Sequence, residues 1–255
     1  MKVALLCGGK GMRWNGSGEG GPKALAMIGD RPIVWHVMDV YSRSGFCDFV
    51  LCLGHLGQAI VDYFEREAGQ HADSSRTLEL APSPDVRWRV ELVDTGAETQ
   101  TGGRLRAVAP RLGSGRCMVS YADGVAAIDI AHLLEFHVAH GRLATLTAVQ
   151  PRSQFGVLEL GEEDHVRSFV EKPRVRDWVN GGFFVFEQGV LPLLGPGPLE
   201  NGTLSRLAAM DELVAYRSES FWACVDTYKD KIELDELARE GRAPWAFQPG
   251  VSAAS

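Results

Sequence analysis

Residues 2–11, KVALLCGGKG, run from an unbroken apolar segment directly into a glycine cluster. Six residues without alternation predict a strand buried on both faces, and such strands belong to parallel sheets covered by helices. Working outward, RPIVWHVMDVYSRSG (31–45) reads as a helix with Pro32 in its first turn and Gly45 just past its end. FVLCLG (49–54) repeats the buried strand, and HLGQAIVDYFEREAG (55–69) repeats the helix, closed by Gly69. This β-loop-α-β-α order predicts a mostly parallel α/β sheet with helices on both faces. Ligands of such sheets bind at the carboxyl ends of the strands, where the glycine loop lies.

Glycine reaches positive φ and leaves its N–H groups uncovered, so a Gly-rich turn after a buried strand suits an anion. Gly8, Gly9 and Gly11, with Lys10, Arg13 and Lys23 nearby, point to phosphate. The spacing is neither that of a Walker loop nor that of the three-glycine dinucleotide fingerprint.

Later segments continue the rhythm. Residues 70–85 form a polar excursion, VRWRVELVDTG (86–96) alternates as a strand, and TGGRLRAVAPRL (101–112) begins a helix with Thr101 as its cap. CMVSYADG (117–124) is a buried strand ending in Asp123, IDIAHLLEFHVAHG (128–141) a helix, and ATLTAVQP (144–151) another strand. Beyond Pro151 the strands shorten, in FGVLEL, VRSFVEKP and NGGFFVFE, before a late helix in TYKDKIELDELAREG.

Asp123 and Asp226 each end an apolar segment, and two strand-end carboxylates suit Mg²⁺, which takes its remaining ligands from water and substrate phosphates. Glu171 and Lys172 stand at another strand end, and the Gly181–Gly182 pair after Asn180 permits close approach to a ligand or forms a β-bulge. His137 and His140 lack a third metal-binding partner nearby, and Cys7 reads as core. A net charge of −7 argues against nucleic-acid or membrane surfaces as partners. Five cysteines with no C-x-x-C pair, and a start that leads straight into a strand, suit a reducing cytoplasm.

Taken together, the G-G-x-G-x-R pattern, the lysine of GPKAL, and in order LVDTGAETQTGGRLRAV, YADGVAAIDI, LLEFHVAHGRLATLTAV, FGVLEL, SFVEKP, VNGGFFVFE, FWACVDTYKDK and GRAPW resemble the sugar-1-phosphate nucleotidylyltransferases. The segments are most similar to the glucose-1-phosphate cytidylyltransferase branch. The resemblance implies a Rossmann-like α/β fold with a small β-rich sugar-binding region, as a single domain over 1–245. Within it, 1–150 would form the nucleotide-binding half and 151–245 the sugar-phosphate region and last helix, with a frayed tail at 246–255. It implies Mg²⁺-dependent joining of a nucleoside triphosphate to a sugar 1-phosphate, with release of pyrophosphate. By position, Gly8, Gly9, Gly11 and Arg13 would hold the triphosphate and Lys23 would bridge the reacting phosphates. Asp123 and Asp226 would bind Mg²⁺, Thr101, Gly103 and Arg104 would lie near the base, and Gly156, Glu171, Lys172, Asn180 and Gly181 would line the sugar phosphate. The resemblance also implies a homo-oligomer, with the loop at 14–20 reaching a neighbour's nucleotide. The chain departs from the family pattern at Met12, Gly21, Ala127, Ala223 and Ser205, which leaves open UTP, dTTP or a modified sugar phosphate. A non-catalytic nucleotide-sugar sensor is the reading from a different class.

Overall fold

The computed structural model describes residues 1–9, 21–72 and 76–246. After β1 (Lys2–Leu6), a short hairpin of β2 (Met27–Ile28) and β3 (Arg31–Pro32) leads into α1 (Ile33–Ser42), and β4 (Asp48–Leu53) leads into α2 (Gly57–Ala68). The hairpin of β5 (Thr77–Ser83) and β6 (Val86–Asp94) precedes α3 (Thr101–Val108). β7 (Cys117–Tyr121) is followed by β8 (Gly124–Ala126), α4 (Ile130–His140) and β9 (Ala144–Val149). The rest comprises β10 (Val157–Leu160), β11 (Val166–Val170), β12 (Val179–Asn180), β13 (Phe184–Phe186), α5 (Ser205–Ala209), β14 (Leu213–Ser218), β15 (Trp222–Cys224) and α6 (Tyr228–Arg239).

Nine strands form one sheet in the order β12-β9-β13-β7-β1-β4-β6-β5, with β14 also paired to β9. β1 runs parallel to β4 and β7, β4 to β6, and β14 to β9, whereas β5, β12 and β13 run against their neighbours. The apolar runs bury both faces. In β1, Val3 and Leu5 face one core layer with α1, α2, α4 and α6, while Ala4 and Leu6 face the other with α3 and α5. Each such fully buried Leu or Ile contributes about 1.5–3 kcal/mol relative to exposure, enough in aggregate to fix the layering. Gly69 and Gly141 end α2 and α4 at φ 65° each, a left-handed turn that glycine adopts without Cβ strain.

Three local expectations are corrected. Pro32 lies in β3 as the residue capping α1 rather than in its first turn, because its φ of −71° and ψ of 156° are extended. The polar excursion of 70–85 includes a real strand, β5, whose outer face is solvated at the sheet edge. α3 is preceded by Gln100 at its cap position, since the Thr101 hydroxyl is turned toward other partners. The expected tail, apart from Ala246, lies outside the described residues, as do Gly11, Met12, Arg13 and the loop at 14–20.

Candidate active site

The carboxyl edge of β1 is fixed first by backbone pairing, with the Cys7 N–H donating to the Cys52 carbonyl at 3.1 Å. Burial and the neighbouring Cys52 raise the pKa of the Cys7 thiol, as suits a core thiol rather than a nucleophile. Beyond it, Gly8 lies against the guanidinium of Arg104. A Cβ on Gly8 or on Gly54 would stand 2.2 or 2.3 Å from guanidinium atoms, so both positions require glycine. Arg104 is only 1% exposed. Its Nη1 donates to the Leu53 carbonyl and the Thr95 hydroxyl, both at 2.8 Å, and to the Gly96 carbonyl at 3.0 Å, while Nη2 donates to Ala97 at 3.3 Å. Arg104 therefore ties the loops after β1, β4 and β6 together. Gly103 and Gly102 let α3 pack on the 195–199 segment, where a Cβ would meet the Pro196 and Gly197 carbonyls at 2.8 and 2.7 Å.

Two adjoining hollows open at this edge of the sheet. One is lined by Gly8, Gly9, Lys23 and Asp123. The other is lined by Tyr121, Asp123, Asn180, Gly181, Trp222, Cys224 and Asp226. Asp123 belongs to both, and the Lys23 ammonium crosses the seam, 2.7 Å from Asp226 Oδ1 and 3.6 Å from Asp123 Oδ2. Asp226 is held by its surroundings: the Val225 N–H donates to the Asp123 carbonyl at 2.8 Å. The Asp226 and Thr227 N–H groups donate to Asp230 Oδ2 at 3.0 and 2.7 Å, within a capping box that starts α6.

Withdrawal from water lifts the Asp123 carboxyl above its ordinary value, and the charge of Asp226 adds to this although Lys23 opposes it. For Lys23, burial alone lowers the pKa, but the hydrogen bond to Asp226 and the charge of Asp123 win, and it is raised. The ammonium thus stays protonated at neutral pH. Burial, followed by both carboxylates, pushes the Cys224 thiol up to about 12. Two carboxylates converging on one cation position, now taken by an ammonium, fit a hard divalent ion. Among the described residues no group of three or more His, Cys, Asp or Glu side chains could hold a metal, so such an ion would draw its other ligands from water and substrate oxygens.

In the second hollow, the Asn180 side chain is oriented from both ends. Its Oδ1 accepts the Gly182 N–H at 3.0 Å and its Nδ2 donates to the Tyr121 hydroxyl at 3.1 Å. Tyr121 in turn donates to Glu200, whose other oxygen accepts the Thr101 hydroxyl at 3.0 Å. Thr101 also accepts the Leu199 N–H at 2.8 Å. The Trp222 indole N–H donates to the Gly181 carbonyl at 2.8 Å. Thus Asn180 and Gly181 reach the cleft, whereas Gly156, Glu171 and Lys172 sit around the β10–β11 hairpin. A Cβ on Gly156 would stand 2.6 Å from the Phe169 ring, and the Lys172 ammonium lies 3.7 Å from Glu233 of α6. Ser205, the first residue of α5, donates to the Glu200 carbonyl at 3.0 Å. Ala223 lies in β15, paired with Val125 of β8 and packed on the core, and the Ala127 N–H donates to the Phe221 carbonyl at 2.9 Å, so neither lines a hollow.

Sequence reasoning missed Tyr121, Trp222 and Glu200. The first two carried a signal, an aromatic ring beside each strand-end aspartate segment; Glu200 carried none, because it lies on an irregular π-helical turn, Glu200–Leu204. The histidine pair on α4 is absorbed elsewhere: His137 Nδ1 and His140 Nε2 both meet the Thr145 hydroxyl at 2.7 Å.

Comparison with known proteins agrees with this geometry. The family model described as nucleotidyl transferase matches residues 2–221. The chain is 39% identical over 254 residues to the glucose-1-phosphate cytidylyltransferase of Salmonella typhi, covering 96% of this chain and 98% of that protein. It is 26% identical to mannose-1-phosphate guanylyltransferase 1 of Arabidopsis thaliana, over 98% of this chain and 70% of that one. Among solved structures, HddC from Yersinia pseudotuberculosis shares the fold with a TM-score of 0.68 at 17% identity, covering 92% of this chain and 98% of its own. A cleft built on a glycine loop, one lysine and two strand-end aspartates, in a chain so matched along its length, belongs to the nucleotidyl transferase family.

Proposed function

We propose that this chain transfers a nucleotidyl group to a sugar 1-phosphate, specifically the cytidylyl group of CTP to glucose 1-phosphate, with Mg²⁺ as cofactor. The observation that carries the reading is the seam, where Lys23 spans Asp123 and Asp226 between two hollows. A reaction between two phosphorylated substrates needs such a shared boundary. Its relatives' cytidylyltransferase activity supports the choice of base and sugar.

In this reading Gly8, Gly9, Gly11 and Arg13 hold the triphosphate, and Asn180, Gly181 and Tyr121 hold the sugar. Asp123 and Asp226 would hold Mg²⁺, which would neutralise charge on the phosphates. An oxygen of the sugar phosphate attacks the α-phosphorus. One P–O bond forms as the bond to the bridging oxygen breaks, and that electron pair leaves on pyrophosphate. The attacking monoester has a second pKa of ~6 and is largely ionised at neutral pH, so no side chain must remove a proton. Lys23, kept charged by its carboxylate neighbours, stabilises negative charge on the phosphates. Arg104 and Thr101 act from behind, holding the loop under Gly8 and the Glu200 carboxylate, rather than at the base.

The test is incubation with Mg²⁺, glucose 1-phosphate and each nucleoside triphosphate in turn, measuring pyrophosphate and the mass of any sugar nucleotide. CDP-glucose formed preferentially from CTP is the expected result. Nucleotide binding without pyrophosphate release, across a panel of sugar phosphates, would establish a sensor instead.

A further inference from the structure

Glu200 lines neither hollow, yet an arm of hydrogen bonds reaches it from each side. The hydrogen positions along both arms are fixed by backbone N–H groups, which can only donate. On one side the Gly182 N–H donates to Asn180 Oδ1 at 3.0 Å, so the amide must turn Nδ2 toward the Tyr121 hydroxyl, 3.1 Å away. Tyr121 accepts there and donates its own hydrogen to Glu200. On the other side the Leu199 N–H donates to the Thr101 hydroxyl at 2.8 Å, and Thr101 donates to Glu200 at 3.0 Å.

Both arms therefore point at one carboxylate, and each of its oxygens accepts from one of them. Such a group must be acceptor-only, because an amide would set a donor against a donor on one arm. Burial, and then the bond to Glu200, raises the pKa of the Tyr121 hydroxyl, which keeps the hydrogen that this arrangement needs. The turn carrying the carboxylate is held by Ser205, one of the departures from the family pattern, through its bond to the Glu200 carbonyl. With Tyr121 taking one Nδ2 hydrogen, Asn180 has the other to offer to the hollow it lines, where an acceptor such as a ring hydroxyl oxygen would meet it.

We propose that Glu200 is the positioning residue of the sugar end: by accepting from Tyr121 and Thr101 at once, it fixes the Asn180 amide as a hydrogen-bond donor toward one hydroxyl of the sugar 1-phosphate. The role rests on the sugar 1-phosphate reading of this cleft and specifies how the cleft selects among sugars. Thr101 opens α3, which carries Arg104, so the same carboxylate ties the sugar end to the framework under Gly8.

The test compares Glu200→Met, Glu200→Gln, Tyr121→Phe and the double variant Glu200→Met with Tyr121→Phe. Affinity for glucose 1-phosphate and for each of its deoxy analogues is read by calorimetry with Mg²⁺ and the unreactive α,β-methylene analogue of CTP, beside KM and kcat. Glu200→Met should weaken glucose 1-phosphate ~10-fold, the worth of one oriented hydrogen bond, with affinity for the CTP analogue little changed. The unmodified protein should discriminate against one deoxy analogue, and Glu200→Met should lose that discrimination while keeping it at the other hydroxyls. The double variant should bind no more weakly than either single one, because both remove the same arm. Glu200→Gln keeps the shape but offers a donor to one arm, so it should lower the unfolding midpoint or the sugar affinity. Equal losses for sugar phosphate and nucleotide, additive single effects, unchanged hydroxyl discrimination, or a Glu200→Gln protein indistinguishable from the unmodified one would overturn the role. Binding with this selectivity but without pyrophosphate release from CTP would remove the transferase reading and leave Glu200 in its role; no binding of any sugar 1-phosphate would remove both.

Discussion

At Gly8 the main chain passes over a guanidinium fixed by four acceptors, so Arg104 cannot move aside as a surface arginine would. Gly8→Ala is therefore expected to destabilise the fold by about 1–3 kcal/mol through overpacking, measured by urea unfolding. No described residue comes within 4 Å of where a Cβ on Gly9 would go, so Gly9→Ala should leave the unfolding midpoint unchanged while raising KM for the nucleotide. At the seam, Lys23→Ala or Asp226→Asn should reduce turnover ~10²-fold or more with a native circular dichroism spectrum, as for loss of other electrostatic stabilisers. Near-normal turnover in either folded variant would remove Lys23 and Asp226 from the mechanism. These residues were legible because phosphate chemistry demands cations and carboxylates at strand ends. The environment of Arg104 was not: spacing places it on α3 beside the cleft, but not whether its side chain turns outward to ligand or inward to loop carbonyls. Glu200 was hidden for another reason, since its contact to Tyr121 spans 79 residues.

Among the elements, β12 and β13 behave as one strand broken at Gly181–Phe183. Both pair antiparallel with β9, and Gly182 at φ 80° and Phe183 at φ 47° carry the break. A bulge bends a strand and re-aims its side chains, which here turns Asn180 and the Gly181 carbonyl to the cleft. Of the two readings of the glycine pair, the structure shows the bulge, whereas nothing local announced that this strand would insert against the direction of β7 and β9. Tyr121→Phe removes the hydroxyl joining Asn180 to Glu200 and leaves both short of a partner. The expected cost is about 1–3 kcal/mol of stability, with KM for the sugar phosphate rising more than KM for the nucleotide; equal changes in both would detach Tyr121 from the sugar end. The β5 strand was missed because its exposed face is as polar as a loop, and only pairing with β6 distinguishes it.

Over the whole molecule, the apolar runs and the β-α alternation were enough to predict a parallel sheet covered on both faces, since strands buried twice over leave no other layering. Stability should depend on pH through one buried and two half-buried histidines. His36, His137 and His140 all titrate below their ordinary value, in each case first because burial disfavours the charged ring. As pH falls below 6.5, the ordinary value for histidine, the unfolded chain takes up protons that the folded chain refuses. The unfolded state then binds more protons, so these groups make stability rise with pH across that window and fall as acid is added. His137→Gln should flatten the dependence of the unfolding midpoint on pH just below 6.5; an unaltered slope would show that His137 is not a contributor.

The way Asp226 is fixed also sets an order of events during synthesis. The last strand of the nine-stranded sheet ends at Ser218, and Asp226 comes after it in the chain, placed beside Asp123 by the Val225 N–H and by Lys23 and held from the other side by the cap of α6. A nascent chain arrested between those two positions holds every strand of the sheet yet only half of the carboxylate pair. Such a product would also lack Leu234, Ala243 and Trp245 of the core layer under α1, so the second carboxylate and the closing of that layer arrive together.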